Sequence, residues 1–388
     1  MQTGGIEGNI KKLIAKTFED MAVGLETGSF GNTPKIALMG MGSEHGPEEM
    51  LEGAKMAASR GLEAVYIGSL EDSKLKSIAA KDEAEATEIM EKMLASGEID
   101  GAVAMHYPFP IGVATVGRVI TPAAGRTMYI ATTTGTSATD RVAAMVRNAI
   151  YGIICAKACG IENPSVGILN IDGARQVERA LKELVSGGYN INFVQSKRAD
   201  GGVFMRGNDV LNNPCDVLVC DSLTGNVLMK LLSSFTTGGS YEATGFGYGP
   251  GIGEKMDSLV MIVSRASGAP VVAGAMEYAA QLVKGNWKKI AKTEFSSALS
   301  AGLAKILDKL AEKPAAQQDE VTAPPKEVVT AEISGIEITE LEDAVTVLWK
   351  AGIYGESGMG CTGPIILVNE AKVKTAADIL TEAGFISE

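Results

Sequence analysis

An α/β architecture of two domains, built on mostly parallel sheets covered by helices, follows from three observations on this 388-residue chain. Short apolar runs bounded by Gly or Pro alternate with amphipathic helical stretches from Lys35 onward, the pattern of strand–helix–strand units. The length exceeds what one simple core organises. The turns after the apolar runs are rich in Gly, Ser, Thr and His, at the strand ends where open α/β sheets bind ligands.

Taken in order, Ile6, Ile10, Leu13, Ile14, Phe18, Met21 and Leu25 recur at helical spacing and predict an N-terminal helix. Lys35 to Gly40 reads as a strand entering the turn Gly40 to Pro47, and Glu48 to Arg60 as a helix with Pro47 near its start. Ala64 to Gly68 and Asp100 to Met105 read as strands with a helix, Ala84 to Ser96, between them. Met128 to Ala131 is a strand before the hydroxyl-rich loop Thr132 to Asp140, and the helix Arg141 to Cys159 follows. That loop suits an anion at a helix N-terminus, or simply N-capping by Thr139 or Asp140. Asn163-Pro164 then breaks the chain. A second series follows: strand Val166 to Ile171, helix Arg175 to Val185, strands Ile191 to Val194 and Val217 to Cys220, and helix Val227 to Ser234. After a glycine-rich stretch, Ser258 to Val263 is a strand, and Val271 to Lys284 and Glu294 to Leu310 are helices. Residues 312–338, with Pro314, Pro324 and Pro325, read as a flexible linker or insertion. Thr339 to Ala351 and Thr375 to Ala383 close the chain as helices. The expected domains are 1–160, completed by 339–388, and 161–311.

A net charge of −12 and an acidic pI near 4.9 argue against nucleic acid or an anionic membrane surface as partner. No apolar run reaches the ~20 residues of a membrane span, and no signal-peptide pattern opens the chain, so a cytoplasmic location is expected. An odd count of five cysteines is not a disulfide framework. Cys155 and Cys159 share a helix face without the second pair or the histidine a metal site needs, so no metal and no cofactor are expected. Cys215 and Cys220 flank a strand. Cys361 alone lies in a loop, Tyr354-Gly-Glu-Ser-Gly-Met-Gly-Cys361-Thr-Gly-Pro364, whose backbone N–H groups suit thiolate or oxyanion chemistry, or which is simply a strand-entry turn of small residues with Cys361 as a buried filler.

Further candidates sit after strands. His45 and His106 are the only histidines, and either suits a proton shuttle or a surface hydrogen bond. Asp221, Thr224 and Asn226 follow Val217 to Cys220, and Ser264 and Arg265 follow Ser258 to Val263. Ser and Arg beside glycine-rich backbone suit an inorganic phosphate, although an arginine there also serves as an ion-paired surface group.

Ile36-Ala-Leu-Met-Gly-Met-Gly-Ser-Glu-His-Gly-Pro47, Val166-Gly-Ile-Leu-Asn-Ile171, the Asp221-x-x-Thr224-Gly225-Asn226 core and the Gly-x-Thr-Gly-Pro-Ile-Ile segment resemble the phosphate acyltransferases of phospholipid synthesis. Gly249 to Arg265 is similar to the phosphotransacetylases. Both resemblances imply an isocitrate/isopropylmalate dehydrogenase-like fold with a cleft between domains. There are departures: Glu178-Arg179 stands where the acyltransferases carry Lys-Gly, His106 to Pro110 replaces a Ser-Ala-Gly-Asn loop, and Cys361 replaces an apolar residue. Together these features resemble the alpha subunit of component C of the glycine, sarcosine or betaine reductase complex. That resemblance implies an acetyl thioester on Cys361, released as acetyl phosphate by phosphate held at Ser264 and Arg265, with Asp221, Thr224, Gly225, Asn226, Gly360 and Gly363 around the substrate. It also implies a beta subunit and a carboxymethyl-bearing selenoprotein A as partners, in an oligomer. The alternatives are a phosphate acyltransferase using acyl carrier protein or acyl-CoA, a decarboxylating dehydrogenase of the same fold, and a non-enzymatic scaffold subunit.

Overall fold

The computed structural model describes Phe18, Met21 and residues 33–194, 196, 202–311, 321–337, 340–360 and 363–386. The helix expected over Ile6 to Leu25 therefore lies outside the described residues, apart from the exposed Phe18 and Met21. Packing divides the chain into two units, Met1–Leu169 with Leu184–Leu303, and Asn170–Glu183 with Ala304–Glu388. This division differs from the one expected near residue 160, because strands on both sides of that point share one sheet.

The first unit holds a 12-stranded sheet. Its strands are β1 (Lys35–Met39), β2 (Glu63–Gly68), β3 (Lys76–Ala79), β4 (Gly101–Ala104), β5 (Val113–Ile120), β6 (Thr127–Thr136), β7 (Ser165–Leu169), β8 (Asn192–Phe193), β9 (Phe204–Met205), β10 (Val217–Val219), β11 (Gly249–Ile252) and β12 (Val260–Ile262). The order is β3-β2-β1-β4-β12-β11-β5-β6-β10-β7-β8, with β9 beside β7. Both flanks are parallel, and their inner strands β1, β4 and β10 are buried nearly throughout, as expected where helices cover both faces, whereas the edge strands β3 and β8 are partly exposed. The centre is not parallel: β11 pairs antiparallel with β12 and β5, and β5 antiparallel with β6.

The helices follow the strands. Here α1 is Pro47–Ala58, α2 Glu83–Ser96, α3 Arg141–Ala158, α4 Ala174–Ser186, α5 Gly207–Asn212, α6 Ser222–Ser234, α7 Ala269–Lys284, α8 Trp287–Ser300 and α9 Leu303–Ala311. Apolar on almost every side, α3 is buried along most of its length, as such a helix must be. Asp140 caps its start, accepting from the Ala143 N–H at 2.8 Å. The hydroxyl-rich segment expected as a loop continues β6 as far as Thr136, because Thr115 and Thr133 bond side chain to side chain across the β5–β6 pair at 2.7 Å. Among the described residues no helix is long and apolar enough to cross a membrane.

The second unit has its own antiparallel sheet, β13 (Ala331–Ser334), β15 (Gly363–Val368) and β14 (Gly355–Gly360) in that spatial order, with α10 (Leu341–Lys350) and α11 (Val373–Glu382). Ile333, Leu341, Leu348, Ile353, Ile366, Val368 and Leu380 are in its core. The segment from residue 170 joins by polar contacts: the Arg175 N–H donates to Glu337 at 2.7 Å and Arg179 pairs with Glu340 at 2.8 Å. Two expectations are corrected here. Part of the expected linker, Ala331–Ser334, is a strand. The glycine-rich segment expected as a loop is largely strand β14, because Gly355 through Gly360 pair in register with Val368 back to Gly363.

Candidate functional site

β1, β4 and β12 are parallel neighbours, so the turns after them share one edge of the sheet. The turn after β12 is built on hydrogen bonds. Ser264 Oγ accepts from Lys230 Nζ at 2.8 Å and from the Ala266 N–H at 3.1 Å, and Ser267 Oγ accepts from the Ser264 N–H at 3.0 Å. Beneath it lies Glu242, only 1% exposed. Its carboxyl accepts from Lys230, from Ser267 Oγ at 2.7 Å and from the Tyr248 hydroxyl at 3.2 Å. Burial, then the neighbouring Glu242 charge, raises the Tyr248 phenol far above its ordinary value, so it stays a proton donor. Arg265 is exposed at the rim of the turn.

The turn after β1 reaches the same place. Gly46 has φ +86, a conformation that favours glycine, and leads directly to Pro47 at the start of α1. The Glu44 N–H donates to the Arg265 carbonyl at 2.9 Å, and the His45 ring Nε2 lies 3.2 Å from the Ala266 carbonyl. The His45 ring also packs against Tyr241, with centroids 5.0 Å apart. Tyr241 donates to Glu49, which also accepts from the Ala269 N–H at 2.7 Å. Those two bonds, followed by the His45 charge, hold the Glu49 carboxyl below its usual range despite burial. Burial and Glu49 push the Tyr241 phenol up to about 12. His106 is exposed in the turn after β4.

Asp221, Thr224, Gly225 and Asn226 do not join this cluster. Alternating pair by pair from β12 through β11, β5 and β6, β10 runs opposite to β12, so its C-terminal end lies at the other edge. These residues form the start of α6, which begins at Ser222 and not at the expected Val227. Asp221 is the cap: its carboxylate accepts from the Thr224 N–H at 2.9 Å, the Thr224 hydroxyl at 2.8 Å and Arg141 at 3.0 Å. Burial pushes its pKa up, but these three donors outweigh burial and hold it below the ordinary value. A carboxylate depressed in the folded state contributes stability above its unfolded pKa and loses it as pH falls through the folded one. The stability gap between wild type and Asp221→Asn should therefore be full near pH 7 and shrink only as pH falls below the ordinary aspartate value of about 3.9, as urea unfolding would read.

Helix α6 joins the two edges. Lys230 lies nine residues beyond Asp221, about 14 Å along the axis. Lys230, Glu242, Tyr248 and Ser267 carry no motif. The one available signal is that Lys230 is the sole charge in Ser222–Ser234.

Cys361 lies outside the described residues, between the paired ends Gly360 and Gly363. The other four cysteines are free thiols. Burial pushes Cys215 up to about 12 and raises Cys155, Cys220 and Cys159 as well. An alkylating agent applied to the native protein is expected to leave Cys155, Cys215 and Cys220 unmodified, as peptide mapping would read.

A family model described as "Fatty acid synthesis protein" matches residues 34–202 and 228–367. The glycine/sarcosine/betaine reductase complex component C subunit alpha of Peptoclostridium acidaminophilum is 57% identical over 383 residues, 98% of this chain and 100% of that one. The chain belongs to this component C alpha-subunit family. The resemblance carried by the Ile36–Pro47, Asp221–Asn226 and C-terminal motifs thus holds. Phosphate acyltransferases match this family member more distantly. That of Bacillus cereus strain G9842 is 29% identical over 245 residues, 51% of this chain and 70% of that one. A solved 4-hydroxythreonine-4-phosphate dehydrogenase from Klebsiella pneumoniae superposes with a TM-score of 0.40 and 10% identity, covering 66% of this chain and 99% of that one. At that score it adds nothing to the α/β class set by the strand order.

Proposed function

We propose that this chain is an acyltransferase in which Cys361 carries an acetyl group as a thioester and inorganic phosphate releases it as acetyl phosphate. A phosphate oxygen attacks the thioester carbonyl, a C–O bond forms, the C–S bond breaks, and the thiolate leaves. What carries the reading is the family membership at 57% identity, joined to one fact of the chain itself: the other four thiols are all raised by burial. Ser264 and Arg265 are the proposed phosphate contacts, with His45 beside them as the proton-handling group. The beta subunit and the selenoprotein are proposed partners, and the setting is cytoplasmic. The test is mass spectrometry after incubation with acetyl phosphate. An acetyl adduct on Cys361 is expected, and an unmodified Cys361 would sink the reading. The similarity to phosphate acyltransferases favours one second reading, acyl-phosphate formation from acyl carrier protein or acyl-CoA without covalent catalysis. That activity would survive thiol alkylation.

A further inference from the structure

Ser264 is half-buried at the end of β12, and its hydroxyl oxygen is approached by two donors, Lys230 Nζ at 2.8 Å and the Ala266 N–H at 3.1 Å. A serine hydroxyl has two lone pairs and one proton. With both lone pairs engaged, donation is the one hydrogen-bonding function left to it. The Tyr248 phenol, itself donating to Glu242, is the neighbour beside that proton, and an anionic oxygen is a stronger acceptor than a neutral phenol. Lys230 does not reach Ser264 by chance of a long side chain. The buried Glu242 carboxyl holds the ammonium group, and Ser267 and Tyr248 in turn hold Glu242. The Lys230 side chain is still 42% exposed, so a small anion has access to this corner.

We propose that Lys230 is a positioning residue for phosphate: by occupying a lone pair of Ser264 it makes that hydroxyl an obligate donor to a phosphate oxygen, with Glu242 fixing the ammonium group in place. The inference rests on phosphate as the substrate held at Ser264. The test is calorimetric titration of the full chain with inorganic phosphate, together with the phosphate dependence of acetyl transfer. Lys230→Met is expected to weaken phosphate binding about tenfold, the size of one hydrogen bond to a charged group. The loss should appear in KM for phosphate and not in kcat, and Lys230→Arg should recover most of it. Because Lys230 acts through Ser264, the double variant Lys230→Met/Ser264→Ala should be no worse than Ser264→Ala alone. Wild-type phosphate affinity in Lys230→Met, or losses that add in the double variant, would overturn the inference. A wild-type chain that binds no phosphate removes the phosphate reading and the inference with it. If Lys230→Met fails to fold because Glu242 is left buried without its partner, Lys230→Met/Glu242→Gln removes both charges and carries the same expectation.

Discussion

Replacing Cys361 by Ser is expected to leave the chain folded and to lower arsenate-dependent breakdown of acetyl phosphate by about three orders of magnitude or more. Arsenate stands in for phosphate as the acceptor, and the acetyl arsenate formed hydrolyses, so turnover reports repeated acylation and release of the enzyme. The substitution exchanges sulfur for oxygen at nearly constant volume. It makes the nucleophile weaker and, in any acyl-enzyme that still forms, replaces a thiolate leaving group by an alkoxide. Both steps of the cycle suffer while the fold does not, so circular dichroism and the thermal midpoint should match wild type. A variant that retains more than about a tenth of the wild-type rate would remove Cys361 from the mechanism.

The second large effect concerns Gly225. A Cβ at this position would stand 1.8 Å from the Thr132 carbonyl oxygen. That obstacle is backbone within β6, so no side chain can swing aside. Helix α6 must move or lose its first turn, and in the second case Asp221 loses its bonds to Thr224. Gly225→Ala is expected to destabilise the protein by about 3 kcal/mol or more, read as a lower urea midpoint. Gly207, also helical, has open space where its Cβ would stand, and Gly207→Ala should change stability by less than about 0.5 kcal/mol. Equal effects at the two sites would contradict the packing argument. Because Lys230 lies on the same helix, Gly225→Ala should also weaken phosphate binding.

Most strands and helices were legible because they are locally self-consistent. Ile36 to Met39, Ala64 to Ile67 and Val217 to Val219 are apolar runs of strand length, and each is buried in the sheet. β3, β5 and β11 were not legible. β5 mixes Thr, Gly and Arg among Val, Ala and Ile without a period-2 pattern, and β11 is Gly-Pro-Gly-Ile; each is a strand by virtue of its neighbours. The same override turned Gly355–Gly360 into a strand against Ile365–Val368. At the candidate site, His45, Ser264 and Arg265 were found from their positions after strands, and the fold brings them together. Asp221, Thr224, Gly225 and Asn226 were found by motif and lie at the opposite edge. Lys230 and Glu242 were missed.

By itself the sequence determined the α/β class, the family and the single cysteine outside a strand or helix pattern, since all three are written in local periodicity and in short motifs. Only the tertiary structure decided which strand ends meet. The antiparallel centre of the sheet reverses β10 relative to β12, and no local pattern records the direction in which a strand will pair. That reversal takes Asp221 away from Ser264 and, through the length of α6, delivers Lys230 to it.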